Sequence, residues 1–387
     1  MDRDALRDFS GAVEMTRWAA KTSALVPGAE SLHARAVARV LCLRPDAGGD
    51  QVHWTSSGGV RVSDMSDHGT PAAPTAQDLV TTIGRDLDRC RRMLPRQVLP
   101  RRFYLITRRC CQRQFLLRPD PATNNAFLYC LIAAAVRCEI DVLLPCAMSN
   151  HYHAVIFDRA GRYPEFIEHF HKLLARSQNA LRGRWENFWS SEQTCVVRLV
   201  DREAVIDKLV YTATNPVQDH LVDRVYNWPG VNGLTALLAG RSLCATRPLH
   251  FFHPQGPMPD TLELPLTIPA ELGLTAAVLS ELRDRVRAIE LEREAERART
   301  GRRVLGRRAV LAQSWRDSPA SREPRRNLRP HVAGRSKWAR IEALLRNRAF
   351  AIEYASARDR WRNGMAAVFP PGTYWFQRFA SVPVLET

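Results

Sequence analysis

Lysine is almost missing from this 387-residue chain: Lys21, Lys172, Lys208 and Lys337 are its whole complement. Long apolar runs are missing too. No stretch approaches the roughly 18 residues that a membrane-spanning helix needs, and the opening MDRDALRDFS is charged, without the apolar core of an export signal. Paired cysteine spacings are also lacking. The nine cysteines are odd in number, run from Cys42 to Cys244 and include no C-x-x-C, which argues against a disulfide framework and a thiolate zinc site. A cytoplasmic protein with no membrane partner is the expectation.

What the chain has instead is arginine. Lys and Arg number 56 against 40 Asp and Glu, a formal net charge of +16, and such a field attracts polyanions, nucleic acid first among them. Arginine-rich codon usage would give the same bias, so charge alone leaves the partner open. Hydrophobic residues at 45% and charged residues at 25% belong to a folded chain rather than a disordered one, and the length allows about two or three units. Residues 1–95 read as an N-terminal extension with a linker at TSSGGVRVSDMSDHGTPAAPTAQD, residues 96–233 as a dense succession of strands and helices, and residues 234–387 as an Arg-rich, mainly helical region broken by SPASREPRRNLRPHVAGRS.

In the central segment Phe103, Leu105 and Thr107 alternate with Tyr104 and Ile106, which predicts a strand. TNNAFLYCLIAAAVRC predicts a helix capped by Thr123 or Asn124, with Phe127, Leu131 and Ala134 or Ala135 on its apolar face. Asp141 to Met148 and HYHAVIFD predict two strands joined at Ser149-Asn150. Pro164 opens and Gly183 closes a helix through Phe166, Phe170, Leu173, Leu174 and Leu181. CVVRLVD is a fourth strand, and Asp201 caps a helix carrying Val205, Ile206, Leu209 and Val210. The order βαββαβα predicts an α+β fold, a split βαβ arrangement whose sheet is largely antiparallel, with helices on one face and the other free for a flat or elongated ligand.

His151 and His153 lie two apart on a predicted strand, so both leave the same face, with Cα atoms roughly 6.6 Å apart, and both rings can reach one cation. An isolated H-x-H pair is also what surface or hydrogen-bonded core histidines present, and only context separates the readings. His169 and His171 share the spacing but sit on a helix, where residues two apart diverge by about 200°, so they read as ordinary helix residues. In KLVYTATNPV, Tyr211 and Asn215 are four apart and share a face if the helix continues that far. Pro216 argues equally that it ends or kinks there, with Asn215 as its terminator, and Tyr211 by itself reads first as a core residue with a hydrogen-bonded hydroxyl.

Several segments, in order, resemble the REP-associated tyrosine transposases, insertion-sequence-200-like single-tyrosine HUH nucleases. MSNHYHAVIF is similar to that family's histidine-hydrophobic-histidine strand, YTATNPVQDHLV to its Y-x-x-x-N-P-V-x-x-x-L-V helix end, ITRRCCQRQFLLRP to its opening strand with a T-x-R element, and GRWENFWSSE to the segment between the central helices. Together they cover roughly residues 100 to 230. The resemblance implies a ferredoxin-like catalytic domain in which His151 and His153, with Asn215 as third ligand, bind Mg²⁺ or Mn²⁺. Tyr211 would then be the nucleophile, leaving a 5′-phosphotyrosine linkage and a free 3′-hydroxyl. It implies single-stranded DNA as partner, with hairpin-forming repeats among its targets, and a homodimer among its assemblies. The chain departs from the family at Arg108, Arg109, Cys110 and Cys111, where T-x-R-G-N is common, and at Gln218, Asp219 and His220, where many relatives read N-P-V-R-A-G.

Arg108, Arg109 and Arg113, with Arg176, Arg182 and Arg184, surround this segment and are candidates for phosphate contact. Trp185, Trp189 and Trp228 are candidates for base stacking, or core residues. Farther on, Leu279, Leu282, Val286 and Ile289 keep helical spacing ahead of an arginine run that either tracks a nucleic-acid backbone or forms a salt-bridged helix. Trp338, Ile341 and Leu345 predict a second packed stripe. A DNA strand transferase is the leading expectation; a non-catalytic basic DNA-binding protein of the same fold, or a metal hydrolase using water, are its alternatives.

Overall fold

The computed structural model describes residues 95–321 and 330–386. The N-terminal extension with its linker, and the middle of the 318–336 linker, lie outside the described residues. In chain order the elements are β1 (Arg102–Arg109), α1 (Pro121–Cys138), β2 (Ile140–Ala147), β3 (His151–Asp158), α2 (Tyr163–Arg182), β4 (Cys195–Leu199), α3 (Arg202–Gln218), α4 (Leu234–Leu238), β5 (Ser242–Thr246), β6 (Thr261–Pro265), α5 (Thr275–Thr300), α6 (Arg307–Ala312), β7 (Val332–Ala333), α7 (Lys337–Arg362) and α8 (Trp375–Ala380). The fold is α+β with an antiparallel-dominated sheet.

Buried residues on both faces of β1, Tyr104, Leu105 and Ile106, suit it to the middle of that sheet. It pairs antiparallel with β3 on one side and β4 on the other, β2 pairs with β3, and the strand order is β2-β3-β1-β4-β7. β7 joins β4 in parallel through two residues, Arg198 opposite Val332 and Leu199 opposite Ala333. At the other edge the chain at 231–233 lies against β2, with Ala147 N–H donating to Val231 O (2.9 Å) and Gly233 N–H to Pro145 O (2.8 Å).

Tyr152 on β3 points to α1 and α2, its ring edge-on to Phe127 at 5.7 Å and Phe170 at 5.3 Å. The opposite face, which carries His151, His153, Val155 and Phe157, is not free as the pattern predicted. α3 packs on β2 and β3 there, and α5 packs on α3. The reason lies in the breadth of the apolar surface of α3: Val205, Ile206, Leu209, Val210, Ala213 and Val217 are all buried, more than one sheet face can cover.

Local signals explain the helix ends, with one correction. Asp201 caps α3 as expected, its carboxylate accepting from Ala204 N–H at 2.7 Å, and Gly183 ends α2 in a left-handed turn at φ +60°. The cap of α1 is neither Thr123 nor Asn124 but Asp120, which accepts from Thr123 N–H at 2.8 Å. Pro121, preorganised for the first helical position, moves the start back by three or four residues.

The C-terminal helices divide differently from their sequence pattern. On α5 the buried residues are Val278, Leu282, Val286 and Glu290, and its acids and arginines are joined to the rest: Arg285 to Asp207, Glu281 to Arg202 (2.8 Å), Glu294 to Arg224 (2.8 Å) and Glu290 to Val225 N–H (2.8 Å). The salt-bridged reading of this helix is therefore the observed one for these residues. On α7 the expected stripe is not packed: Trp338 is 69% exposed and Leu345 is exposed too. Ala343, Phe350 and Ala357 face inward instead, and Phe350 and Tyr354 lead into a small cluster with Phe369 and Phe376. The hairpin β5–β6, which the sequence reading did not foresee, packs on α1 through Asn125, which accepts from Thr246 N–H (2.9 Å) and donates to its carbonyl (2.8 Å).

The last residues are clamped at Gly372, whose carbonyl accepts from Val98 N–H at 3.0 Å. Its φ is +87°, and a Cβ there would stand 2.6 Å from Gln97 Cγ and 2.9 Å from Val98 O, so glycine is required. Beside it Arg378 donates to Glu165 at 2.7 Å and Arg162 does so at 3.1 Å. The Arg378 hydrogen bond, then Arg162, hold the Glu165 carboxyl down at about 2 from its ordinary 4.5. A depressed carboxyl pKa contributes stability that is complete above the unfolded value and is lost as pH falls toward the folded one. Urea midpoints should therefore fall between about pH 5 and pH 2 in the parent chain, and Glu165→Gln should flatten that acid limb while lowering the midpoint at pH 7.

Candidate active site

The two-residue period of β3 brings the His151 and His153 rings to 4.9 Å between centroids, nearly perpendicular. Each Nδ1 has a partner. His151 Nδ1 is 2.7 Å from Asn150 Oδ1, and His153 Nδ1 is 2.8 Å from Thr107 Oγ1 on the facing strand. With Nδ1–H donating to these oxygens, Nε2 of each ring keeps its lone pair. His153 Nε2 is buried and has no hydrogen-bond partner among the described residues. Burial first, then His151 and Lys208, push the His153 pKa well below the usual histidine value, so the ring is neutral.

Tyr211 on α3 stands beside this pair, its ring 5.2 Å from that of His153. α3 runs through Pro216 to Gln218 instead of ending at Asn215, because Asn215, Pro216 and Val217 are all buried and packing outweighs the missing donor. Tyr211 and Asn215 therefore share a helical face, and an Asn215 hydrogen bond lowers the Tyr211 pKa. Burial, the largest cause, and the nearby charge of Asp219 outweigh it, so the phenol sits above its ordinary value of 10. Asn215 Oδ1 is itself buried without a hydrogen-bond partner among the described residues. Lys208, one turn earlier, places its ammonium 5.4 Å from the Tyr211 ring centroid.

The cluster thus holds two imidazoles, an amide oxygen and a phenol, with two orphaned buried acceptors, His153 Nε2 and Asn215 Oδ1. Such N and O donors suit a divalent cation, and an unsatisfied buried acceptor is otherwise costly. Among the described residues no group of three or more His, Cys, Asp and Glu side chains forms a metal-holding arrangement; the third donor here is an amide.

The arginines divide by strand alternation. Arg109 lies opposite His151 on β1 and shares its face. Arg113 is one step away, its carbonyl accepting from the Asn150 amide at 3.2 Å and its guanidinium donating to Ser321 O at 2.6 Å. Arg108 is not brought to the pair: it lies opposite Tyr152, donates to Thr194 at 2.5 Å and packs over Trp189, with burial lowering its pKa. Arg182 is also occupied, bonded to Leu116 O at 2.9 Å. His171 is a core residue on the far face, 2.6 Å from the Tyr152 hydroxyl.

The sequence reading missed four contributors: Thr107 and Asn150 as holders of the imidazoles, and Lys208 and Asp219 as charges near the phenol. The helical face that joins Tyr211 to Asn215 continues at spacings of three and four to Lys208 and Asp219, a signal that was there to be read.

No protein-family model matches the chain, and no curated protein matches it. A solved structure of a REP-associated tyrosine transposase bound to a REP hairpin is distantly similar, at 16% identity over 38% of this chain and 85% of that one, with a TM-score of 0.31.

Thr107→Val removes the partner of a buried imidazole nitrogen. It should cost about 1–3 kcal/mol of stability, measured by urea unfolding, with the far-ultraviolet circular dichroism of the folded state unchanged.

Proposed function

We propose that this chain is a transposase-like endonuclease and strand transferase of single-stranded DNA, with a ferredoxin-like catalytic unit at 96–233 flanked by extensions at 1–95 and 234–387. The observation that carries this reading is the Tyr211 ring 5.2 Å from His153, in a cluster whose two buried acceptors lack partners. His151, His153 and Asn215 would hold Mg²⁺ or Mn²⁺. Bound there, the cation supplies positive charge that polarises a phosphate oxygen and balances the charge of the pentavalent transition state.

The chain's own residues supply the remainder. Asn150 Oδ1, an acceptor, holds His151 in its Nδ1–H tautomer, and Thr107 orients the His153 ring. Tyr211 gives its proton to solvent water and its oxygen forms the bond to phosphorus; the bond from phosphorus to the 3′ oxygen breaks, and that oxygen takes a proton from solvent to become a free hydroxyl. The 5′-phosphotyrosine bond stores the phosphodiester, so attack by another 3′-hydroxyl reverses the step and rejoins strands without a nucleotide. A phenol with a raised pKa is a poor nucleophile, which is why a cation beside it matters. Arg109 and Arg113 would hold neighbouring phosphates, and hairpin-forming repeats are the proposed targets.

Covalent capture tests the reading. Labelled single-stranded oligonucleotide with Mn²⁺ should give an adduct that survives denaturation and is absent from Tyr211→Phe, while His153→Ala should slow its formation by about a hundredfold or more. An adduct that persists in Tyr211→Phe excludes this nucleophile. Cleavage that survives Tyr211→Phe but not His153→Ala indicates a water-using hydrolase, and salt-sensitive binding without cleavage in either metal indicates a binding protein.

A further inference from the structure

Three tryptophans precede or follow the helices of the catalytic segment, and their environments differ sharply. Trp189 and Trp228 are core residues whose indole N–H groups donate to His171 O (3.1 Å) and Ala147 O (3.0 Å). Trp185 is 89% exposed. It is not on a loose tip. Asn179 pegs the chain on both sides of it, accepting from Arg184 N–H at 2.8 Å through its carbonyl and donating to Glu186 O at 2.8 Å through its side chain. An indole held in water on a fixed backbone gains nothing for the fold.

Its position relates it to the histidine pair. The loop that carries it is tied to the end of β1: Cys111 N–H donates to Phe188 O and Ser190 N–H to Arg109 O, both at 2.9 Å. Arg109 is the residue opposite His151, so the loop borders the end of the sheet at which the imidazoles stand.

Two arginines near the loop have no ion-pair partner among the described residues, although Glu186 and Asp317 are their near neighbours in the chain. The Arg184 guanidinium lies 5.8 Å from the Trp315 ring centroid and the Arg316 guanidinium 4.5 Å from it. The arginines that meet α5 and α8 differ: Arg202, Arg224, Arg285 and Arg378 all end on carboxylates. Arg184, next to Trp185 in the chain, donates to Gln114 Oε1 at 3.2 Å and, with Arg316, flanks the Trp315 ring without a carboxylate partner among the described residues; guanidiniums so placed near a fixed, water-exposed indole match a ligand that offers both flat π faces and phosphates. Unpaired nucleotides do so; a duplex hides its base faces.

We infer that Trp185, with the guanidiniums of Arg184 and Arg316, is a stacking surface for unpaired bases of the strand whose phosphate is presented to Tyr211. This rests on the proposed function and extends it to the flanking strand. Because stacking tolerates any base, the surface grips without selecting sequence.

The test uses the full chain as Tyr211→Phe without added metal, so that binding is read apart from cleavage. Fluorescence anisotropy with a labelled 20-nucleotide thymidine strand should show Trp185→Ala weakening affinity roughly tenfold or more, with Trp185→Phe restoring most of it. Arg316→Ala should lower the slope of log affinity against log salt by about one. Unchanged affinity in Trp185→Ala, with Arg109→Ala still weakening it, overturns this surface and leaves the proposed function standing. A blunt duplex bound as tightly, and with the same dependence on Trp185, also overturns it. An absence of single-strand binding in the parent, together with no covalent adduct, removes the functional reading and this inference with it.

Discussion

Thr107 stands opposite His153 because β1 and β3 pair without a slip from Arg102 and Asp158 to Arg109 and His151. The histidine half of the candidate site follows from that register. A shift of one residue would turn His151 and His153 into the space now filled by Tyr152, against Phe127 and Phe170, and would expose a tyrosine to α3. The hydroxyl of Thr107 adds a side-chain lock to the backbone ladder and aims the neighbouring ring. The second half of the site comes from α3, and it arrives because that helix is apolar over too wide an arc to lie on solvent.

Much of this was legible in the residues. The alternation in HYHAVIFD and RFYLITRR gave both strands and the shared histidine face, and Asp201 and Gly183 marked the helix ends they occupy. What pattern alone left open was set by tertiary packing. Pro216 signals a stop, yet buried neighbours carry α3 past it. His220 stands where many relatives of the resembled family read glycine, and it takes φ +55° while its carbonyl accepts from Leu305 N–H at 2.9 Å. That backbone bond would be open to glycine as well; what the histidine adds is its side chain, whose Nε2 lies 4.0 Å from Glu296 on α5. Arg108 and Arg109 look alike in sequence, and only their alternation across β1 sends one into the core and the other toward the histidines.

The arginine excess is less uniform than a formal charge suggests. Along α5 it is balanced in place by Asp207, Glu281 and Glu294, so that the helix is pinned to α3 without adding much field. Around Trp315, Arg182 meets Asp120, but Arg184 and Arg316 have no carboxylate partner among the described residues. A polyanion would experience the asymmetry, rather than the total, since exposed charges a Debye length away are largely screened.

Both margins of the main sheet are occupied by the protein's own backbone, β7 along β4 and the 231–233 stretch along β2. An open margin is a template on which another copy can add a strand, the usual route to swapped or fibrous assemblies. At Arg198 and Leu199 on one edge, and at Pro145 and Ala147 on the other, that route is closed from within, so copies of the chain can crowd together without their sheets knitting there.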